Sequence, residues 1–141
     1  MITRIDHVGI ACFDLDETIR LYKELYGFSV CHREINDSQG VDEAMLRING
    51  TDDGKASYVQ LLAATRPDSP IAKFLDKRGE GIHHIAFGCD DVEFEAQAMA
   101  GRGVTVWPFP QPASMGSRAT FVHPKSSGGV LVELVTSKQE G

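Results

Sequence analysis

Four side chains able to hold a metal ion, His7, Gln60, His84 and Glu133, stand at matched places in a chain that repeats itself. In the first echo, Ile5-Asp6-His7-Val8-Gly9-Ile10-Ala11-Cys12 lies against Ile82-His83-His84-Ile85-Ala86-Phe87-Gly88-Cys89, which sets His7 upon His84. In the second, Tyr58-Val59-Gln60-Leu61-Leu62 lies against Leu131-Val132-Glu133-Leu134-Val135, which sets Gln60 upon Glu133. Two imidazoles, one amide oxygen and one carboxylate make a borderline-to-hard donor set for a divalent ion such as Co, Mn, Ni, Zn or Fe. Four protein donors leave two positions open on an octahedral ion. With neutral His and Gln, one carboxylate leaves the site at about +1, which favours an anionic, oxygen-rich, bidentate substrate. Duplication alone is architecture; duplicated polar residues in apolar strands point to a site between the halves.

Each residue also has a plainer reading. Glu133 lies in a run from Val130 to Val135 that is apolar on both strand faces. An ionised carboxylate there costs several kcal/mol unless it is paired or metal-bound, and an arginine partner would serve as well as a metal. Gln60 alone would read as an amide satisfying a neighbouring strand. His7 and His84 share a strand face with Ile5 and Ile82, two residues earlier. One such histidine reads as a core residue; two at equivalent places weaken that reading. His83 faces the other way, and His32 and His123, without a repeat match, read as surface or loop residues.

Glu43 follows a polar loop in Gly40-Val41-Asp42-Glu43-Ala44, and its counterpart in the second half falls near Gly116. An acid on only one side of a pseudo-symmetric site is a candidate base, although a solvated strand-edge glutamate explains the residue as well, and Asp42 shares that ambiguity. The segment His123-Pro124-Lys125-Ser126-Ser127-Gly128-Gly129 combines turn formers, a cation and free amides. Such loops receive phosphate or carboxylate, and silent turns have the same composition.

The elements that must position these residues are legible from periodicity and punctuation. Strands are expected at Ile2–Ala11, Phe28–Ile35, Val41–Ile48 and Ala56–Ala63, the last two joined by a turn over Asn49–Gly54. Asp14 caps a helix carrying Leu15, Ile19, Tyr22, Leu25 and Tyr26, stopped by Gly27. The order then repeats: a strand over Ile82–Cys89, a helix with Val92, Ala96, Met99 and Ala100, a strand over Val104–Phe109 interrupted by Pro108, and a hairpin of Arg118–Val122 with Val130–Val135. Between them, Ser69-Pro70 opens a short helix carrying Ile71, Phe74 and Leu75. The units are β-α-β-β-β modules over about 1–63 and 82–136, joined by a connector over 64–81, within one domain of 141 residues. Ser137–Gly141 is expected to fray.

A net charge of −6 argues against nucleic acid or an anionic membrane as partner. No apolar run reaches the length of a membrane span and no signal peptide is visible. Three cysteines, an odd number, argue against a disulfide framework and for a reducing cytoplasm.

Together these residues resemble the vicinal-oxygen-chelate superfamily and, within it, the methylmalonyl-CoA epimerase family. Gly40-Val41-Asp42-Glu43-Ala44, Gly81-Ile82-His83-His84-Ile85-Ala86 and His123-Pro124-Lys125 with Gly128-Gly129 carry the resemblance, which runs over nearly the whole chain. It implies an α+β fold, two tandem modules forming an open, cupped, eight-stranded mixed sheet with helices outside. It maps one divalent metal onto His7, Gln60, His84 and Glu133, and the catalytic carboxylate onto Glu43, with Glu133 as the second proton carrier. The implied reaction interconverts (R)- and (S)-methylmalonyl-CoA, the CoA arm leaving past Ser117, Arg118 and Lys125, in a homodimer. A glyoxalase I-type enzyme or a fosfomycin thiol transferase of the same fold is the alternative, followed by a metal-free small-molecule binding protein.

Overall fold

The computed structural model describes residues 1–48 and 57–136. The expected Asn49–Gly54 turn and the Ser137–Gly141 terminus lie outside them. The order is β1 (Ile2–Ala11), α1 (Leu15–Tyr26), β2 (Ser29–Asn36), β3 (Val41–Arg47), β4 (Tyr58–Ala64), α2 (Pro70–Arg78), β5 (Gly81–Cys89), α3 (Val92–Gly101), β6 (Val106–Pro112), β7 (Arg118–Val122) and β8 (Val132–Thr136). Single 3-10 turns fall at Ser114–Gly116 and Pro124–Ser126. The expected α+β fold of two βαβββ modules is what forms. The strands make an eight-stranded mixed sheet in the order β2-β3-β4-β1-β5-β8-β7-β6.

Two compact units divide the chain, one of Val8–His83 and one of Met1–His7 with His84–Gly141. In the first, the Asp14 carboxylate accepts from the Glu17 amide at 3.1 Å and starts α1. Gly27, at φ 75°, ends the helix in the left-handed conformation that costs a glycine least. Leu15, Ile19 and Tyr22 of α1 pack on Ala44, Leu46, Val59 and Leu61, which share one face of β3 and β4. Truncating Leu46 or Leu61 to alanine would cost about 2–5 kcal/mol. Strand alternation sends Glu43, Met45, Gln60 and Leu62 to the opposite face. There α2, capped by the Ser69 hydroxyl at 3.2 Å from the Ile71 amide, covers Val41 and Leu62 with Ile71 and Leu75.

In the second unit, Asp91 caps α3 by accepting from the Phe94 amide at 3.1 Å. Val92 and Met99 of that helix pack with Ile85, Phe87, Cys89, Val132 and Leu134. β5 runs parallel to β8 with Ala86 opposite Glu133, and β7 runs antiparallel with Phe121 opposite Glu133. The same alternation therefore turns His84 and Glu133 away from the helix-covered face. β6 differs from expectation: it starts at Val106 and continues past Pro108 to Pro112, with irregular register between Trp107 and Gln111. As the last strand of the sheet it has an open side, where a proline's missing N–H removes no ladder bond.

Candidate metal centre and carboxylate base

Three buried ligand atoms converge in the unit of Met1–His7 and His84–Gly141. His7 Nε2 lies 3.1 Å from His84 Nε2, and Glu133 Oε2 lies 3.3 Å from His84 Nε2 and 3.9 Å from His7 Nε2. The residues are only 3%, 4% and 8% exposed. Among the described residues this is the one trio of His, Cys, Asp or Glu whose ligand atoms gather within 4.8 Å. The rings meet edge to face with centroids 5.2 Å apart, and Phe121 walls His84 at 6.0 Å. Burial works to raise the Glu133 pKa; the hydrogen bond from His84 and the fields of both imidazoles outweigh it and hold the carboxyl below its ordinary value. An anionic Glu133 is what a cation site requires.

The donors fit a divalent ion. Cis ligands about 2.1 Å from an octahedral ion lie about 3.0 Å apart, close to the His–His and His–Glu separations, while the 3.9 Å pair is wider. The two Nε2 atoms face one another across 3.1 Å, a separation bridged by a proton on one of them or, with both bare, by a cation.

Behind His7 stands a residue that sequence reading passed over. Asp6 is fully buried, and its Oδ2 accepts from His7 Nδ1 at 2.8 Å. Its Oδ1 accepts from Arg4 Nη2 at 2.7 Å. Carboxylates behind ligating histidines are a recurrent supporting feature, so an Asp next to a ligand His was the signal available.

In the unit of Val8–His83, Glu43 is 8% exposed, so it is not a solvated strand-edge residue. The Gln60 side-chain amide, itself 6% exposed, donates from Nε2 to Glu43 Oε2. A carboxylate only accepts, so the bond fixes the amide's orientation and leaves Gln60 Oε1 buried with no hydrogen-bond partner among the described residues. An orphaned buried acceptor costs about 1–3 kcal/mol, a cost that a bound cation removes. Asp42 is tied to Arg33 at 3.1 Å and is separate from this pair.

The expected CoA contacts are less uniform. Ser117 is buried, its hydroxyl donating to the Ser114 carbonyl at 2.7 Å. Arg118 donates from Nε to Glu93 at 2.5 Å and from Nη2 to the Pro110 carbonyl at 2.7 Å. Lys125 is exposed on the Pro124–Ser126 turn, which the His123 ring caps by accepting from the Lys125 amide at 3.1 Å. His83 packs edge to face on Phe74 at 5.0 Å, and His32 lies half-buried in β2, not in a loop, 3.4 Å from Glu34.

Buried donors of this kind on paired βαβββ modules define a class. The sequence model of the glyoxalase/bleomycin resistance protein/dioxygenase superfamily matches residues 6–121, and the chain belongs to that superfamily. Within it the similarity is to methylmalonyl-CoA epimerases. A substituted Streptomyces coelicolor epimerase in complex with 2-nitronate-propionyl-CoA is 56% identical, covers 99% of this chain and 97% of its own, and superposes with a TM-score of 0.93. The Mycobacterium tuberculosis epimerase is 42% identical over 96% of this chain and 88% of its own, with a TM-score of 0.89. The ethylmalonyl-CoA/methylmalonyl-CoA epimerase of Cereibacter sphaeroides is 31% identical over 95% of this chain and 98% of its own length.

Proposed function

We propose that this chain interconverts (R)- and (S)-methylmalonyl-CoA by removing the proton on C2 and returning one to the opposite face. The observation that carries the reading is Glu43, a buried carboxylate clamped by the Gln60 amide, in a chain 56% identical to an epimerase solved with a CoA ligand. A carboxylate in water is far too weak a base for a thioester α-proton, so the site must stabilise the enolate charge as it develops. His7, Gln60, His84 and Glu133 would hold one divalent ion (Co, Mn, Ni or Zn), which when bound supplies Lewis-acid stabilisation to the substrate's thioester and carboxylate oxygens. The orphaned Gln60 Oε1 supports its place as the fourth ligand.

Glu43 takes the proton as a positioned general base, and the Gln60 N–H fixes which way its carboxylate faces. Glu133 is the second proton carrier in this reading. Its depressed proton affinity lets it release a proton readily but leaves it unprotonated for most of the time at neutral pH. Lys125 presents an exposed ammonium to the CoA phosphates, and Arg118 reaches them with the edge not engaged by Glu93 and Pro110. Ser117 shapes the turn leading into β7 through its bond to Ser114.

A homodimer in the cytoplasm completes the reading. Its supports are the apolar side chains Trp107 and Phe109, exposed on edge strand β6, and an odd number of cysteines, three, which does not suit a disulfide framework. No helix among the described residues is long and apolar enough to cross a membrane. The direct test is incubation of the Co-loaded protein with optically pure (S)-methylmalonyl-CoA. Decay of optical activity to the equilibrium mixture is expected, and an unchanged signal over hours would refute the assignment.

A further inference from the structure

The two histidines of the trio are supported differently by their own repeats. Counting by the offset that sets His7 upon His84, the partners of Arg4 and Asp6 in the second half are Gly81 and His83, so the second half has no arginine–carboxylate pair at those positions. In the first half the pair is built tightly. Arg4 Nη2 donates to Asp6 Oδ1 at 2.7 Å, and His7 Nδ1 donates to Asp6 Oδ2 at 2.8 Å. Asp6 is 0% exposed, so its charge has to be met by groups of the protein. The Arg4 side chain lies across Gly88: a Cβ there would sit 2.9 Å from Arg4 Cζ and 3.0 Å from Cγ. Gly88 is not at a positive φ, so the glycine is needed for the space it leaves and not for its backbone.

We infer that Arg4, seated in the notch left by Gly88, and Asp6 form a relay that fixes the ring of His7 for metal ligation. A carboxylate accepts hydrogen bonds and never donates them, so Asp6 holds the proton of His7 on Nδ1 and leaves the Nε2 lone pair facing His84 and Glu133. Arg4 is a positioning residue: it grips one oxygen of Asp6 so that the other is aimed at the ring. Outer partners of this kind are worth about 10–100-fold in metal affinity. The inference rests on the metal reading of the proposed function, but its first consequence, the tautomer of His7, does not need the ion.

The experiment uses three variants of the full chain. Arg4→Met removes the charge and keeps the bulk. Gly88→Ala keeps every functional group and displaces the Arg4 side chain, whose Cγ, Cζ and Nη1 the added methyl would crowd, from its notch. Arg4→Lys is the conservative rescue. Nitrogen-15 NMR of the metal-free wild type should show His7 protonated on Nδ1. Arg4→Met and Gly88→Ala should both mix the tautomers and weaken Co(II) binding about tenfold or more by chelator competition. Arg4→Lys should recover part of the affinity, and Arg20→Met, a substitution in an exposed helix pair, should change nothing. Co(II) affinities within twofold of wild type in both Arg4→Met and Gly88→Ala, or a wild-type His7 protonated on Nε2, would overturn the relay. A wild type that binds no Co(II) would instead refute the metal reading, with the tautomer measurement still deciding the relay.

Discussion

The unit of Val8–His83 and the unit of Met1–His7 with His84–Gly141 bury polar groups in opposite ways. At the equivalent strand position, the first places Gln60, a neutral amide, and the second places Glu133, a carboxylate. Around Glu133 stand two imidazoles that hold it ionised. Around Gln60 stands a second acid, Glu43, clamped by the amide's own N–H. The repeated pattern thus carries a polar residue at one position in both halves, and in the proposed donor set only one of the two is an anion. The other acid, Glu43, is held in orientation by the Gln60 amide, which is what the proposed role of base asks of it.

The largest break in this contrast comes from Glu43→Gln. It should lower exchange of the C2 proton with solvent about 10²–10⁴-fold while the metal content stays at wild-type level. Near-normal exchange in that variant removes Glu43 from its role. Glu133→Ala deletes the charged donor of the other unit, and divalent-metal affinity, read by equilibrium dialysis, should fall by more than about 100-fold. Full occupancy after that change contradicts the ligand assignment.

Gln60→Glu makes the two units alike and so sharpens the comparison. A second carboxylate against Glu43 disfavours the charged form of both. The base would then need a higher pH to ionise, and the acid limb of the rate profile should move up by about one unit; a limb that stays in place would mean that Gln60 does not touch the working base.

The smallest effect expected lies at Cys89. Burial first, then nearby carboxylates, push its thiol up from 9.0 to about 11. An acid whose folded pKa is raised favours the fold below its unfolded pKa and loses that contribution as the pH climbs. Thermal stability should therefore erode between pH 9.0 and about 11, and Cys89→Ser should flatten that decline.

Much of the fold was legible because its signals are local. Asp14 and Gly27 bracket α1 as punctuation predicts, and Ser69-Pro70 opens α2. The two echoes singled out His7, Gln60, His84 and Glu133, because polar residues at matched places in apolar strands need a shared reason, and the ligand atoms of His7, His84 and Glu133 do gather. What stayed hidden depends on contacts between side chains. Alternation sends Asp6 and His7 to opposite faces of a strand, so no pattern rule joins them, yet they share a hydrogen bond. The Gln60–Glu43 bond depends on the β3–β4 register, which pairs Gln60 with Met45 and Glu43 with Leu62. No local pattern announced the ion pair of Arg118 with Glu93, 25 residues away in sequence. β6 outran its expected end because an edge strand tolerates the prolines that stop an inner one.

The most direct test of metal-assisted proton transfer at C2 is proton NMR of methylmalonyl-CoA in deuterium oxide with the holoenzyme, before and after a chelator. The C2 proton signal should vanish and the methyl doublet collapse as deuterium enters, and chelation should stop both until a divalent ion is restored. Exchange that continues at the same rate in verified metal-free protein would contradict the account.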